Sequence, residues 1–361
     1  MVPVERPARA AHGGLPLDEL LRLRIDPATV LDLSTSLSPL PAHPDVVQAI
    51  RECDVHSYPD PHCFEVKAAI ASALRLDPHS LVIGHGSVEL LWSLVRVLAE
   101  SDEPGKPLLT VSPTFSEPEA AAQALGIAVA RVDMPEETGF AFDVARITAA
   151  IVRTRPFAVY LCQPNNPTGV ALPGAQLSEL IASHPSVPFI VDEAFLSLST
   201  RHEDVHLPLP INAIRVRSLT KDHGLAGLRV GYAVCARELA ELVEAQRPPW
   251  MISAPAQAAI IATMANRDHV ALVRQQLLAH KDALVAELHA LDIATLPSET
   301  TFFLARVHDA DALRDFLLRE HAVLLRSGST FGLPHYIRLP ACLPLARTQL
   351  IAALRAALER T

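Results

Sequence analysis

Long apolar runs are missing from this chain. No segment reaches the ~18 to 20 unbroken apolar residues of a membrane-spanning helix, and the opening MVPVERPARA lacks the apolar stretch of a secretory signal. A soluble, cytoplasmic protein is expected. Basic clusters are missing too. The net charge is −9 over 361 residues, with no lysine- or arginine-rich run and no basic amphipathic helix, so neither nucleic acid nor a membrane surface is an expected partner. Cysteine is sparse. The five cysteines (Cys53, Cys63, Cys162, Cys235, Cys342) are odd in number, scattered and without a CxxC pair, which argues against a disulfide framework and a zinc site. The 16 histidines are read as showing no HExxH, and HGLAGLR as no metal motif, so no metal site is expected. The patterns GxxxxGK[ST], GxGxxG and GxSxG are absent, which removes P-loop, dinucleotide-fingerprint and nucleophile-elbow chemistry. The 30 prolines punctuate periodic segments rather than cluster, so disorder is not expected.

What is present points to a folded α/β chain. Half of the residues are hydrophobic, enough for a sizeable core in one large or two modest domains. Residues 1–40 read as an arm with one short helix, PLDELLRL. Beyond residue 43, segments with helical spacing (EVKAAIASAL, VELLWSLVRVLAE) alternate with short strand-like runs (PLLTV, IAVARV, FAVYL, PFIVDEAF, AIRVRSL). That alternation implies a mostly parallel sheet between helices, here placed in a large domain over 41–245. Residues 246–361 read as a connecting helix and a smaller α/β unit containing TFFLARV, AVLLRS and YIRL.

Four motifs fall at strand ends, where open α/β sheets place ligands. GHGSVELL puts Gly84, His85, Gly86 and Ser87 at a helix start, a natural phosphate site. QPNNPTG follows the strand FAVYL, VDEAF ends a strand at Asp192, and SLTK…GLR carries Ser218, Thr220, Lys221 and Arg229. Singly, each has an ordinary reading: a helix start, a turn, a cap, a solvated lysine. Together they supply an anion cradle, an asparagine, an acid and a lysine, which is what pyridoxal phosphate requires. The lysine forms a Schiff base and moves protons, the carboxylate pairs with the pyridinium nitrogen, and the arginine and hydroxyls hold the phosphate.

From about His12 to near the C-terminus, the chain resembles the fold-type I, pyridoxal-phosphate-dependent aminotransferase class I/II superfamily. Within it, the chain is similar to the histidinol-phosphate aminotransferase and threonine-phosphate decarboxylase branches. PNNPTG, DEAF and SLTK followed by GLAGLRVGYAV carry the likeness. The resemblance implies that Lys221 holds the cofactor, that Asp192 faces its ring nitrogen and that Asn166 bonds its ring hydroxyl. It implies that Gly86, Ser87, Ser218, Thr220 and Arg229 hold the phosphate and that Phe115 stacks on the ring. Tyr58 would reach the neighbouring subunit's phosphate in a homodimer with shared sites. Arg338 would grip the substrate carboxylate, a task that suits a bidentate guanidinium. His12 and Gly13 resemble the decarboxylase branch's substrate-contacting arm, and Arg326 a substrate-phosphate position.

The expected activity is transfer of an amino group from a small or phosphorylated amino acid. α-Decarboxylation is the alternative, favoured by the arm and by Phe195, where the aminotransferase branch usually carries tyrosine. Departures near the site mouth (STSLSPLP, His85 in GHG, TTFF, Trp250 in RPPWM) imply a substrate different from either namesake. A non-catalytic ligand sensor would need an attached DNA-binding module and a basic face, and the sequence offers neither.

Overall fold

A computed structural model describes residues 12–360. Its strands are β1 (Leu31–Leu33), β2 (Leu81–His85), β3 (Leu108–Ser112), β4 (Val129–Asp133), β5 (Ala158–Cys162), β6 (Phe189–Asp192), β7 (Ala213–Ser218), β8 (Val230–Val234), β9 (Phe302–Arg306), β10 (Val323–Ser327) and β11 (Tyr336–Pro340). The seven-stranded sheet runs β2-β8-β7-β6-β5-β3-β4. Only β8 opposes its neighbours, so the other strands end on a common edge.

Both faces of this sheet are buried, which is why its strands read as continuous apolar runs rather than alternating ones. Side chains still alternate between faces. Ala158, Tyr160 and Cys162 join one core with Ile190, Ile214 and Val216, while Val159 and Leu161 join the other with Phe189 and Val191. The helix Gly86–Glu100 covers the first face through Leu90, Leu91, Leu94 and Val95, spaced to share one helical side. Helices Val144–Thr154 and Gly174–Ala182 cover the second. Asp143 caps the former by accepting from Arg146 N at 3.0 Å. Each fully buried leucine or isoleucine contributes about 1.5–3 kcal/mol through water exclusion.

The four-stranded sheet runs β1-β10-β11-β9 and belongs to the C-terminal unit. Its first strand comes from the N-terminal segment, with Leu31 paired in parallel to Val323. Helix Leu17–Leu23 also packs there, with Leu20 against Leu318 and Leu324. From Leu17 onward much of the segment read as an arm, its one α-helix included, packs against the small unit. A three-residue strand is too short to show a period. Among the described residues no helix is long and apolar enough to cross a membrane.

Candidate active site

Strand parity and register build the site. Asp192 closes β6 on the face of Ile190 and lies opposite Cys162 of β5. Tyr160, two residues earlier on β5, shares that face, and its hydroxyl donates to Asp192 Oδ2 at 2.9 Å. The Ala194 N–H donates to Oδ1 at 3.0 Å. Asp192 is 3 % exposed, and burial pushes its carboxyl up to about 6, while the Tyr160 and Ala194 bonds and the nearby Lys221 oppose the rise. Ser218 ends β7 on the same face as Ile214 and Val216.

Lys221 follows three residues later. Its amine is lowered to about 8, first by burial and then by the positive charges of Arg338 and Arg229. The sequence has four lysines. Lys67 pairs with Glu244 at 3.0 Å, Lys106 with Asp102 at 2.7 Å, and Lys281 donates to the Ser298 carbonyl at 3.0 Å. Lys221 Nζ alone has no hydrogen bond or ion pair among the described residues, and it rests 5.8 Å from the Phe195 ring centroid. A buried amine without an ionic partner and with a lowered pKa is a nucleophile in waiting.

Beside it is an anion cradle. Helix Gly86–Glu100 begins at Gly86, whose φ is +77°. A Cβ at Gly86 would lie 2.8 Å from an Arg229 guanidinium nitrogen, so the bare backbone leaves room for that side chain. Arg229 follows a short turn, Ala226–Leu228, and has no carboxylate partner among the described residues. The hydroxyls of Ser218 and Thr220 lie 2.7 Å apart. Helix-end N–H groups, two hydroxyls and an unmatched guanidinium suit a phosphate monoester.

The small sheet supplies the opposite wall. Arg326 of β10 and Arg338 of β11 are direct cross-strand partners, each under 8 % exposed. Like charges so placed oppose each other. Burial and the neighbouring Arg326 lower Arg338 to about 9, and burial lowers Arg326 to about 10. Arg338 donates to Asn166 Oδ1 at 2.6 Å and to the Ser34 carbonyl at 2.8 Å, while its buried Nε has no partner. Both cationic groups face a cavity of about 440 Å³.

That cavity brings together His12, Gly13, Gly86, Ser87, Phe115, Asn166, Asp192, Ser218, Thr220, Lys221, Arg229, Arg326 and Arg338. Tyr58 is not among its lining; it is 83 % exposed and stacks on Trp250 at 5.0 Å. His85 is exposed and also outside the cavity. The motif reading did not single out Thr35, Glu117, Cys162 or Phe331, which line it, nor Tyr160 behind Asp192. Cys162 and Tyr160 had a usable signal, since strand parity with a terminal Asp192 marks them. The residues are chemically matched to pyridoxal phosphate: a cradle for its phosphate, an acid for its ring nitrogen, an amine for its aldehyde.

The reading that the histidines show no HExxH needs correction. Residues 202–206 spell HEDVH, which has the HExxH spacing of metal-binding helices. That spacing aligns two histidines only on an α-helix; here the segment is a 3-10 turn, with three residues per turn. No group of three metal-ligating side chains occurs among the described residues. A larger cleft of about 980 Å³ surrounds this segment and contains none of the cavity residues named above.

The sequence profile described as "Aminotransferase class I and II" matches residues 28–353. The chain belongs to that family. It is a pyridoxal 5'-phosphate-dependent enzyme of the fold-type I architecture. It is 33 % identical over 341 residues to a histidinol-phosphate aminotransferase of Moorella thermoacetica, covering 90 % of this chain and 84 % of the relative. The fold matches that of histidinol-phosphate aminotransferase from Sinorhizobium meliloti in complex with pyridoxal 5'-phosphate (TM-score 0.87, 24 % identity, 100 % and 98 % coverage). L-threonine-O-3-phosphate decarboxylase from Porphyromonas gingivalis is also similar (TM-score 0.78, 25 % identity, 91 % and 100 % coverage).

Proposed function

We propose that the enzyme transaminates an amine substrate carrying a phosphate or a comparable second anionic group, with Lys221 as the amine that holds the cofactor. The observation that carries this reading is the buried cross-strand pair Arg326–Arg338 facing the same cavity as Lys221. Two guanidinium groups forced together out of water are stabilised by a doubly charged ligand or by two singly charged ones. Both named activities among the similar proteins cited above concern phosphorylated compounds.

When bound, pyridoxal phosphate supplies an electrophilic aldehyde and an electron-withdrawing ring. Gly86, Ser87, Ser218, Thr220 and Arg229 would hold its phosphate. Asp192 would face its ring nitrogen, Asn166 its ring hydroxyl and Phe115 its ring face. Asp192 is largely ionised at neutral pH because its carboxyl sits near 6, and Tyr160 and Ala194 fix its orientation. Lys221 Nζ, near 8, can take the substrate's α-proton and return it at ordinary pH. Arg338, braced by Asn166 and Ser34, would orient the substrate anion. Tyr58 is solvent-facing and outside its own chain's cavity, which supports a homodimer in which it completes the partner's site.

Decarboxylation is the second reading, favoured by the seat of His12 and Gly13 in the cavity and by Phe195 beneath Lys221. Holoenzyme incubated separately with histidinol phosphate and O-phospho-L-threonine distinguishes the two. Transamination predicts carbonyl product dependent on an added keto acid, without carbon dioxide. Carbon dioxide release without that dependence assigns the second reading, and turnover of amino acids with a single anionic group in preference to both compounds overturns the proposal of a second anionic group.

A further inference from the structure

We propose that Glu117 is a positioning residue for substrate recognition: tethered by Trp92, it fixes the seat and the tautomer of His12 over the cavity. The inference rests on the reading of His12 as a substrate contact. Glu117 lines the cavity, is 7 % exposed and opens the helix Glu117–Ala124. Its Oε2 accepts from Trp92 Nε1 at 2.6 Å, and its Oε1 meets His12 Nε2. The His12 contact holds its carboxyl below the usual range, with Trp92 adding to this against the opposing effect of burial. An ionised carboxylate only accepts, so His12 Nε2 must carry the proton and Nδ1 is the ring atom left for a ligand.

The same short segment is pinned a second time. Gly14 N–H donates to Ser34 Oγ at 2.7 Å, and a Cβ at Gly13 would lie 2.2 Å from the Ser34 carbonyl oxygen. That carbonyl also accepts from Arg338. His12 lies 5.8 Å from the Phe115 ring, tilted by 47°. Residues 12–14 thus bridge two anchors, Glu117 on the large sheet's side and Ser34 beside Arg338. A partly exposed histidine loses rotational freedom when its far nitrogen is fixed, which favours ligand contact by the near one. Glu117 thereby acts on the substrate through His12 without touching it.

The test uses holoenzyme bearing Glu117→Gln, His12→Ala, both together, and Trp92→Phe. Glutamine keeps an acceptor for Trp92 but turns an N–H₂ towards His12, so the fixed tautomer should be lost. Nitrogen-15 histidine NMR, with the His12 signal assigned by its absence in His12→Ala, should show a protonated Nε2 in the parent and not in Glu117→Gln. For whichever of histidinol phosphate and O-phospho-L-threonine is turned over, KM should rise about tenfold in Glu117→Gln, the weight of one hydrogen bond, with kcat changed less than about threefold. The double variant should be no worse than His12→Ala. Should Glu117→Gln not fold, Trp92→Phe carries the test with a smaller KM rise in the same direction. An unchanged His12 tautomer, additive losses, or an unaltered KM in Trp92→Phe would overturn the proposal. If amino acids with a single anionic group are turned over and neither compound is, the functional reading fails, while the NMR result still decides the role of Glu117.

Discussion

Replacing Asp192 by asparagine should stabilise the cofactor-free protein while disabling the loaded enzyme. The carboxyl is buried and pushed up to about 6, against 3.8 for an ordinary aspartate. Between about pH 4 and pH 6 the folded chain therefore keeps a proton that the unfolded chain has released. Stability from this group is fully present below pH 4 and is lost as pH rises through 6. Two units correspond to about 3 kcal/mol, the cost of keeping this carboxylate ionised in the fold at pH 8. Asparagine removes that charge but keeps the bonds: its Oδ1 can accept from Ala194 N–H, and its N–H₂ can donate to the Tyr160 hydroxyl, which rotates. Chemical denaturation of cofactor-free protein at pH 4 and pH 8 reads the effect. The variant should gain about 3 kcal/mol over the parent at pH 8 and almost nothing at pH 4. Turnover of the loaded variant should fall by at least about 100-fold, because a neutral amide cannot balance a protonated ring nitrogen. A variant no more stable than the parent at pH 8, or a gap that ignores pH, would refute the claim that Asp192 is held charged for function at the expense of stability.

Other consequences can be measured separately. Arg338→Lys keeps the charge but cannot reach both Asn166 Oδ1 and the Ser34 carbonyl in the same fork, so substrate KM should rise about 100-fold. Gly86→Ala places a methyl 2.8 Å from the Arg229 guanidinium on a backbone with φ +77°; strain of about 1–2 kcal/mol and a displaced Arg229 should weaken cofactor binding at least about tenfold by equilibrium dialysis. Reloading of cofactor-free protein should accelerate as pH rises through about 8, because Lys221 becomes a neutral nucleophile there; a rate flat from pH 6 to 9 would contradict its lowered pKa.

The strand–helix alternation and the four motifs were legible because each is local. PNNPTG, DEAF and SLTK sit directly behind strands whose common direction carries them to one edge, and that direction follows from the helical crossovers between them. The cradle was legible for the same reason, with Gly86 directly after β2. What escaped depends on distance along the chain. Leu31–Leu33 pairs with a strand almost 300 residues away, and three residues cannot display a period. Glu117 meets His12 across 105 positions, and Arg338 meets Ser34 across 304. Tyr160 reads as core in an apolar strand, and only the register of β5 against β6 brings its hydroxyl to Asp192. The HExxH spacing of HEDVH escaped the reading of the histidines, and that spacing has meaning only on an α-helix, which this segment does not form.

Borohydride reduction of the loaded enzyme, followed by peptide mapping, tests the centre of this account most directly, because reduction fixes the cofactor on the amine that holds it. With four lysines in the chain, the outcome is unambiguous. The added mass should fall on Lys221 alone and disappear in Lys221→Ala. Mass on Lys67, Lys106 or Lys281, or none on Lys221 in enzyme that is active and loaded, would contradict it.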